Sequence, residues 1–484
     1  MTFIGALARA SVSTAAYLTK TSRLLLVALG ALPLLAAVAA MPAAVSAADG
    51  AGVQVTVPDN VRLEIYGVMD AAVVHVQHSL NIDPKTVPGP TAAGKSSATG
   101  IISGGLTASY LGLRGTSDIG DGLKAMFVLE TPINLPTGTV TNNAEYLAYN
   151  TRTGPAGSSD SAISGQLFGR QAWVGIGTDS YGQLSLGLHP AFFLEDMGLF
   201  DPIPGSLVLS PIGFAGSYSG GGYSQDARVD NSVRYKVGIG DFRIGALYKA
   251  GGVSGNGDPR TANMLNFVYD TGSLAMAAGY QSFTDALSLA NGTRAATPAP
   301  KDGLYPANCG SGIKAPLGTL CVTAADTTGY LAGLKFTVSP VTLRILYERL
   351  EYDNPSNPAS DKQLTAIYGF PVNYVTTTAF THEKIVDFYA GGITYDATEA
   401  LVLTAAYYEA DQNDYTGNGC KTPSSACKGF TEWYSLLADY KLSKRFDVYL
   451  GGMNSWVSST AKGPGIGYDH PSNSTVTTGM RFRF

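Results

Sequence analysis

Charge is scarce in this chain. Asp, Glu, Lys and Arg make up 14 % of 484 residues, and acids outnumber bases 37 to 32, for a formal net charge of −5. That balance excludes a nucleic-acid partner, because there is no basic footprint to neutralise phosphates. Histidines number only five: His75, His78, His189, His382 and His470. The segment "THEK" (Thr381 to Lys384) opens like a zinc-protease signature but lacks the second His at i+4, and no G-x-S-x-G elbow sits on a strand–turn–helix unit. No metal, no cofactor and no enzymatic activity are therefore expected. His189 beside a loop carboxylate is the one arrangement that general-base chemistry could use. Also missing, beyond Ala47, is any apolar run long enough for a membrane helix.

The segment "GPTAAGKS" (Gly89 to Ser96) fits the letters of a phosphate-binding loop. That loop needs a buried strand before it and a helix starting at the Lys. Upstream, "HSLNIDPKTVP" has no apolar run, and downstream "SATGIISGG" has no helical periodicity, so the segment is read as a flexible loop.

At the N-terminus, Arg9, Lys20 and Arg23 precede the apolar run Leu24 to Ala40, and small residues follow up to Val45-Ser46-Ala47. The pattern is a secretory signal over residues 1–47, cleaved after Ala47. A membrane anchor is the competing reading; Pro33, the small-residue exit and the lack of a flanking basic stop favour cleavage. Losing three positive charges and no negative ones moves the formal charge from −5 to −8. Residues 48–484 form the exported domain. Its four cysteines agree with export: Cys309 and Cys321 bracket one short polar loop, Cys420 and Cys427 another, and two local disulfides in an oxidising compartment are expected. The spacings are too long for C-x₂₋₄-C, and no His lies close to either pair.

What the chain has in quantity is Gly, at 58, and Tyr, at 27, together with a period-two alternation. In "RLEIYGVMDA" the residues Leu63, Ile65, Gly67 and Met69 oppose Glu64, Tyr66, Val68 and Asp70. In "LKAMFVLE" Lys124 and Glu130 fall on one face and Leu123 and Phe127 on the other. In "VDNSVRYKV" Val229, Val233, Tyr235 and Val237 oppose Asp230, Ser232, Arg234 and Lys236. A soluble sandwich alternates as well, but a transmembrane barrel turns its apolar face to lipid and its polar face to a lumen. The connections separate the two. Short turns near Asp118, Ser180, Gly240, Thr271, Pro340, Ala397 and Ser443 alternate with much longer, irregular stretches, the asymmetry of a membrane barrel. The fold expected is all-β, a transmembrane antiparallel β-barrel of about sixteen strands with short turns at one end and long loops at the other. The closing "GMRFRF" puts Met480, Phe482 and Phe484 on one face and Arg481 and Arg483 on the other, as a final strand with a lipid-facing girdle should.

"EIYGVMDAA", "SYLGLRGTSDIGDGLKAMFVLE", "LFGRQAWVGI", "YGQLSLGLH", "RVDNSVRY" and the closing "RFRF", in this order across residues 60–484, resemble the general Gram-negative porins of Burkholderia-like bacteria. The resemblance implies a trimeric channel in the outer membrane, in contact with its lipid and lipopolysaccharide, whose third loop folds into the barrel as a constriction. It also implies a water-filled path for ions and small hydrophilic solutes. Carried over, Arg170 of "FGRQ" and Arg228 of "RVDNSVRY" are rungs of a basic ladder on the wall. Tyr110 stands where the family has a further arginine, and His189 stands close to another. Glu195, Asp196 and Asp201 of the third loop are the acids expected to face the arginines and set up a transverse field. With two ladder positions altered, a slight anion preference is expected. A substrate-specific channel is the main alternative, and a structural or adhesive barrel a further one.

Overall fold

The computed structural model describes residues 53–57, 61–79, 96–140, 167–211, 228–252, 260–288, 320–357, 366–367, 370–377, 381–415, 417, 419, 427–457 and 472–484. The proposed signal, the segment Gly89 to Lys95, and Cys309 and Cys420 lie outside these residues.

The first half of the chain forms β1 (Val53–Val57), β2 (Val61–Ser79), β3 (Ser96–Ser103), β4 (Tyr110–Gly120), β5 (Leu123–Pro132), β6 (Gln171–Thr178) and β7 (Gly182–Pro190). Helix α1 (Phe192–Phe200) follows, then β8 (Arg228–Ile239), β9 (Phe242–Lys249), β10 (Ala262–Asp270) and β11 (Leu274–Ser288). The second half adds β12 (Leu320–Val338), β13 (Val341–Asp353), β14 (Ala366–Ile367), β15 (Phe370–Thr377), β16 (Lys384–Asp396), β17 (Leu401–Gln412), β18 (Gly429–Lys441), β19 (Phe446–Val457) and β20 (Ser472–Arg483). Strands β3 and β4 pair with successive parts of β2 and make one interrupted wall strand. Strand β1 folds back on the start of β2, and the β14–β15 hairpin leans on the start of β12, so these three stand apart from the wall. The remainder is a closed antiparallel barrel of 16 strands.

Closure runs through the first and last wall strands, with Ala71 opposite Met480. At the seam the terminal Phe484 exchanges two main-chain hydrogen bonds with Gly67, of 3.0 and 3.1 Å. The Phe484 ring lies where a Cβ on Gly67 would be, 2.9 Å away. A residue without a side chain is therefore needed at that joint.

All seven short connections fall where the sequence sets them. The β4–β5 turn illustrates the cause: Asp121 (φ 52) and Gly122 (φ 74) both take the left-handed conformation that a tight hairpin demands, and Asp118 Oδ1 accepts the Gly120 N–H at 2.9 Å. Ile65, Met480 and Phe482 are exposed on the outer face as their parity predicts, and Val73, Val174, Ile176, Leu265 and Phe267 are exposed in the same alternating way. This is the inverted arrangement of a barrel that meets lipid outside.

Two local departures shape the interior. In β8 a single parity over 229–237 does not hold. Asn231 has φ 50, the register against β7 steps between Gly187 and His189, and Val229 packs with Phe192, Leu247 and Met264 while Val233 and Tyr235 are exposed. One extra residue reverses the alternation, which is what a bulge does. Between β3 and β4, residues 104–109 leave the wall. The fully buried Asp70 carboxylate holds them, accepting the N–H groups of Gly105, Leu106 and Thr107 at 3.1, 2.9 and 2.8 Å and the Tyr449 hydroxyl.

Candidate functional site

Strand β7 ends at Pro190, which has no N–H to continue the ladder, and the chain turns inward into α1. The helix and the residues that follow lie against the inner wall on sites without side chains. The Phe192 ring covers Gly245 of β9, Phe193 covers Gly279 of β11, and Phe200 covers Gly333 of β12. Pro202 covers Gly392 of β16 and Leu209 covers Gly451 of β19. A Cβ added at any of these five glycines would come within 2.4–2.7 Å of its neighbour. The far end is fastened by hydrogen bonds: Leu207 N–H to Gly104 O at 3.2 Å, Ser206 Oγ to Gly105 O at 2.6 Å, and Ser435 Oγ to Leu209 O at 2.6 Å. The inward segment thus spans the wall from β9 to β19 and reaches the 104–109 excursion.

Each candidate acid of this segment has a different setting. Glu195 bridges two cations of β8, Arg234 Nη2 at 2.5 Å and Lys236 Nζ at 2.9 Å. Burial alone would raise its pKa, but the two cations outweigh burial and hold it below the ordinary carboxylate value. Asp196 is buried and accepts a hydrogen bond from Asn266 Nδ2 at 2.5 Å. Burial, reinforced by the neighbouring Glu195, pushes its pKa up to about 7 against the Asn266 bond. Asp201 accepts from the Tyr408 hydroxyl and Ser210 Oγ, both at 2.8 Å, and burial raises its pKa.

On the wall, the Arg170 guanidinium carbon sits over the Tyr110 ring, 4.2 Å from its centroid, with Nε 3.3 Å from Glu130. Tyr110 meets Tyr66 edge-on, and Tyr66 donates to Glu130 at 2.7 Å while Arg114 covers its ring and pairs with Glu64 at 2.6 Å. Two arginines and two carboxylates balance in this strip. Arg228 is buried beyond the β8 step, opposite Pro190. His189 is fully buried; its ring nitrogens bond to Ser232 and Ser185 hydroxyls at 2.8 and 2.9 Å, and Trp173 stacks on it. An open recess of about 320 Å3 is lined by Lys236, the partner of Glu195, and by Lys124, Arg243, Asn266 and Phe192.

The structure brings Tyr110 and Arg170 together and sets Glu195 beside β8. Sequence reasoning put Arg234, Lys236 and Glu130 on the polar face without singling them out. The alternation that placed them there was the usable signal.

A family model for Gram-negative porins matches residues 34–456. An outer membrane porin protein of Bordetella pertussis is 27% identical over 229 residues, which is 47% of this chain and 50% of that protein. The chain thus spans about half the length of the curated relative it matches. Among solved structures, an anion-selective porin from Comamonas acidovorans is similar with a TM-score of 0.54 at 18% identity, over 88% of this chain and 100% of that one. OmpT of Vibrio cholerae, an outer membrane protein in its trimer form, is similar with a TM-score of 0.50 at 15% identity, over 88% and 100% of the two chains. At these identities the likeness is one of fold.

Proposed function

The chain belongs to the Gram-negative porin family, and from that premise we propose that it forms a water-filled diffusion channel in the outer membrane for ions and small hydrophilic solutes, with a slight anion preference. The observation that carries this reading is an apolar outer wall enclosing a lumen whose inner face carries paired charges, narrowed by a segment laid on five glycines. Fixed charges of both signs on the two sides of such a passage favour polar and charged solutes over apolar ones. Arg170, Arg228, Tyr110, His189, Glu195, Asp196 and Asp201 are the proposed constriction residues. The Glu195 contacts with Arg234 and Lys236 support a role for the third loop in balancing wall cations.

Three further features belong to this reading. A homotrimer is supported by the trimer form of the Vibrio cholerae neighbour and by an outer wall with apolar area to cover. Local disulfides Cys309–Cys321 and Cys420–Cys427 would staple outer loops; no free cysteine occurs among the described residues. The signal peptide would be removed after Ala47. Liposome swelling tests the channel: sugars of increasing size should enter at falling rates with a sharp upper limit. Swelling no faster than in protein-free liposomes would reject it.

A further inference from the structure

Inward cations of the wall commonly meet a carboxylate, as Arg114 meets Glu64, Lys124 meets Asp179, Arg243 meets Asp270 and Arg481 meets Asp447. Lys335 of β12 and Arg344 of β13 depart from this. They are register partners, directly opposite on adjacent strands. Both face the lumen, since Phe336 and Ile345 beside them are exposed on the outer face. Opposed residues on neighbouring strands have Cβ atoms about 5 Å apart, and like charges in that position destabilise the pair. Among the described residues neither has a carboxylate within ion-pair distance; Arg344 Nη1 donates to Thr394 Oγ1 at 3.1 Å, and Arg344 Nε is buried with no partner. The acids whose field reaches Arg344 are Asp201 and Asp396. Asp201 is already committed to Tyr408 and Ser210, and Asp396 ends its strand.

The setting is polar. Threonine hydroxyls flank the doublet, Thr337 beside Thr342 at 3.1 Å and Thr394 beside Thr404 at 3.3 Å. Phe200 covers Gly333 and Pro202 covers Gly392, the residue opposite Arg344. Gly333 precedes Lys335 by two residues, about 7 Å along the strand. The doublet therefore lies at the edge of the constricting segment, Arg344 alongside Pro202 and Lys335 towards the short turns.

We propose that Lys335 and Arg344 form a binding site for a doubly charged tetrahedral oxyanion of the phosphate type, held by the planar arginine fork, the lysine ammonium and neighbouring threonine hydroxyls. A fork with two parallel donors matches the spacing of oxygens on one phosphorus, and an adjacent ammonium adds a second charge. Chloride, a single-charge sphere, uses only part of this set. The inference deepens the channel reading and rests on it.

The test measures chloride current through the purified full barrel in planar bilayers, at constant ionic strength and mildly alkaline pH, during titration with inorganic phosphate. The expected result is a saturable fall in current. Lys335→Gln and Arg344→Gln should each raise the half-effect concentration by about tenfold or more, as expected for losing charge-assisted hydrogen bonds. Lys124→Gln, a cation already paired with Asp179, should not. A fall that never saturates, or one that all three variants change equally, overturns the site while leaving the channel intact; absence of any current defeats the channel reading instead. A second measurement does not depend on conduction or on recovering both variants. Phosphate should raise the unfolding temperature of the native barrel in detergent above that in chloride of equal ionic strength, and Lys335→Arg should keep the rise. No rise in the native protein also overturns the site.

Discussion

Replacing Glu195 by Gln removes one negative charge without changing the shape of the loop. In the native protein this carboxylate is held between Arg234 at 2.5 Å and Lys236 at 2.9 Å. The variant therefore leaves two wall cations uncompensated at the narrowest part of the proposed path. At about 8 Å from a passing ion, one elementary charge in water is worth about 0.5 kcal/mol, and a Debye length of about 10 Å in 0.1 M salt cuts this to about 0.2 kcal/mol. The effect has opposite sign for anions and cations, so their difference grows by about 0.5 kcal/mol, or about twofold in permeability ratio. The assay is the reversal potential in a salt gradient across a planar bilayer. It should move in the anion-selective direction by the amount that a doubled ratio implies, and the shift should shrink at high salt. An unchanged potential, or a move toward cations, would show that Glu195 does not face the permeating ions.

Asp196 supplies a pH dependence. Its carboxyl, with a pKa of about 7, is neutral below that value and ionised above it, so anion preference should decline as pH rises from about 6 to about 8, and Asp196→Asn should abolish the decline; a pH-independent native potential refutes this. Gly333→Leu forces a side chain to where Phe200 now lies, 2.4 Å from the added Cβ; overpacking of this kind costs about 1–3 kcal/mol, so the variant should unfold at lower temperature in detergent and pass more current as the loop lifts. Equal melting and equal conductance would show that the glycine sockets do not hold the loop. Non-reducing peptide mapping should recover Cys309 joined to Cys321 and Cys420 joined to Cys427, and free thiols or crossed pairs would defeat the staple assignment.

Much of the wall was legible because a barrel repeats two simple rules. Alternation put Ile65 and Phe482 outside and Arg234 and Glu130 inside, and Gly or Asp at positive φ marked turns such as Asp121-Gly122. What escaped depends on contacts far apart in sequence. Nothing near Asn231 announces the extra residue that reverses β8. Asp70 reads as one more inward polar residue until the three N–H groups of the 104–109 excursion are seen to converge on it. Gly245, Gly279, Gly333, Gly392 and Gly451 read as weak strand residues, and only the folded loop shows that each makes room for a particular side chain. The charge partners were the least legible part. Arg170 finds Glu130 on its own wall, and Glu195 finds Arg234 and Lys236; pairing across a lumen is set by register and by loop path, neither of which the alternation encodes.

Whether this barrel conducts is read by single-channel recording of the purified protein in a planar bilayer. Stepwise, ohmic currents that scale with bulk salt conductivity are expected, together with a reversal potential slightly on the anion side in a potassium chloride gradient. A protein that inserts, with a spectrum dominated by β structure, yet passes no current at any voltage below membrane breakdown would contradict the channel reading.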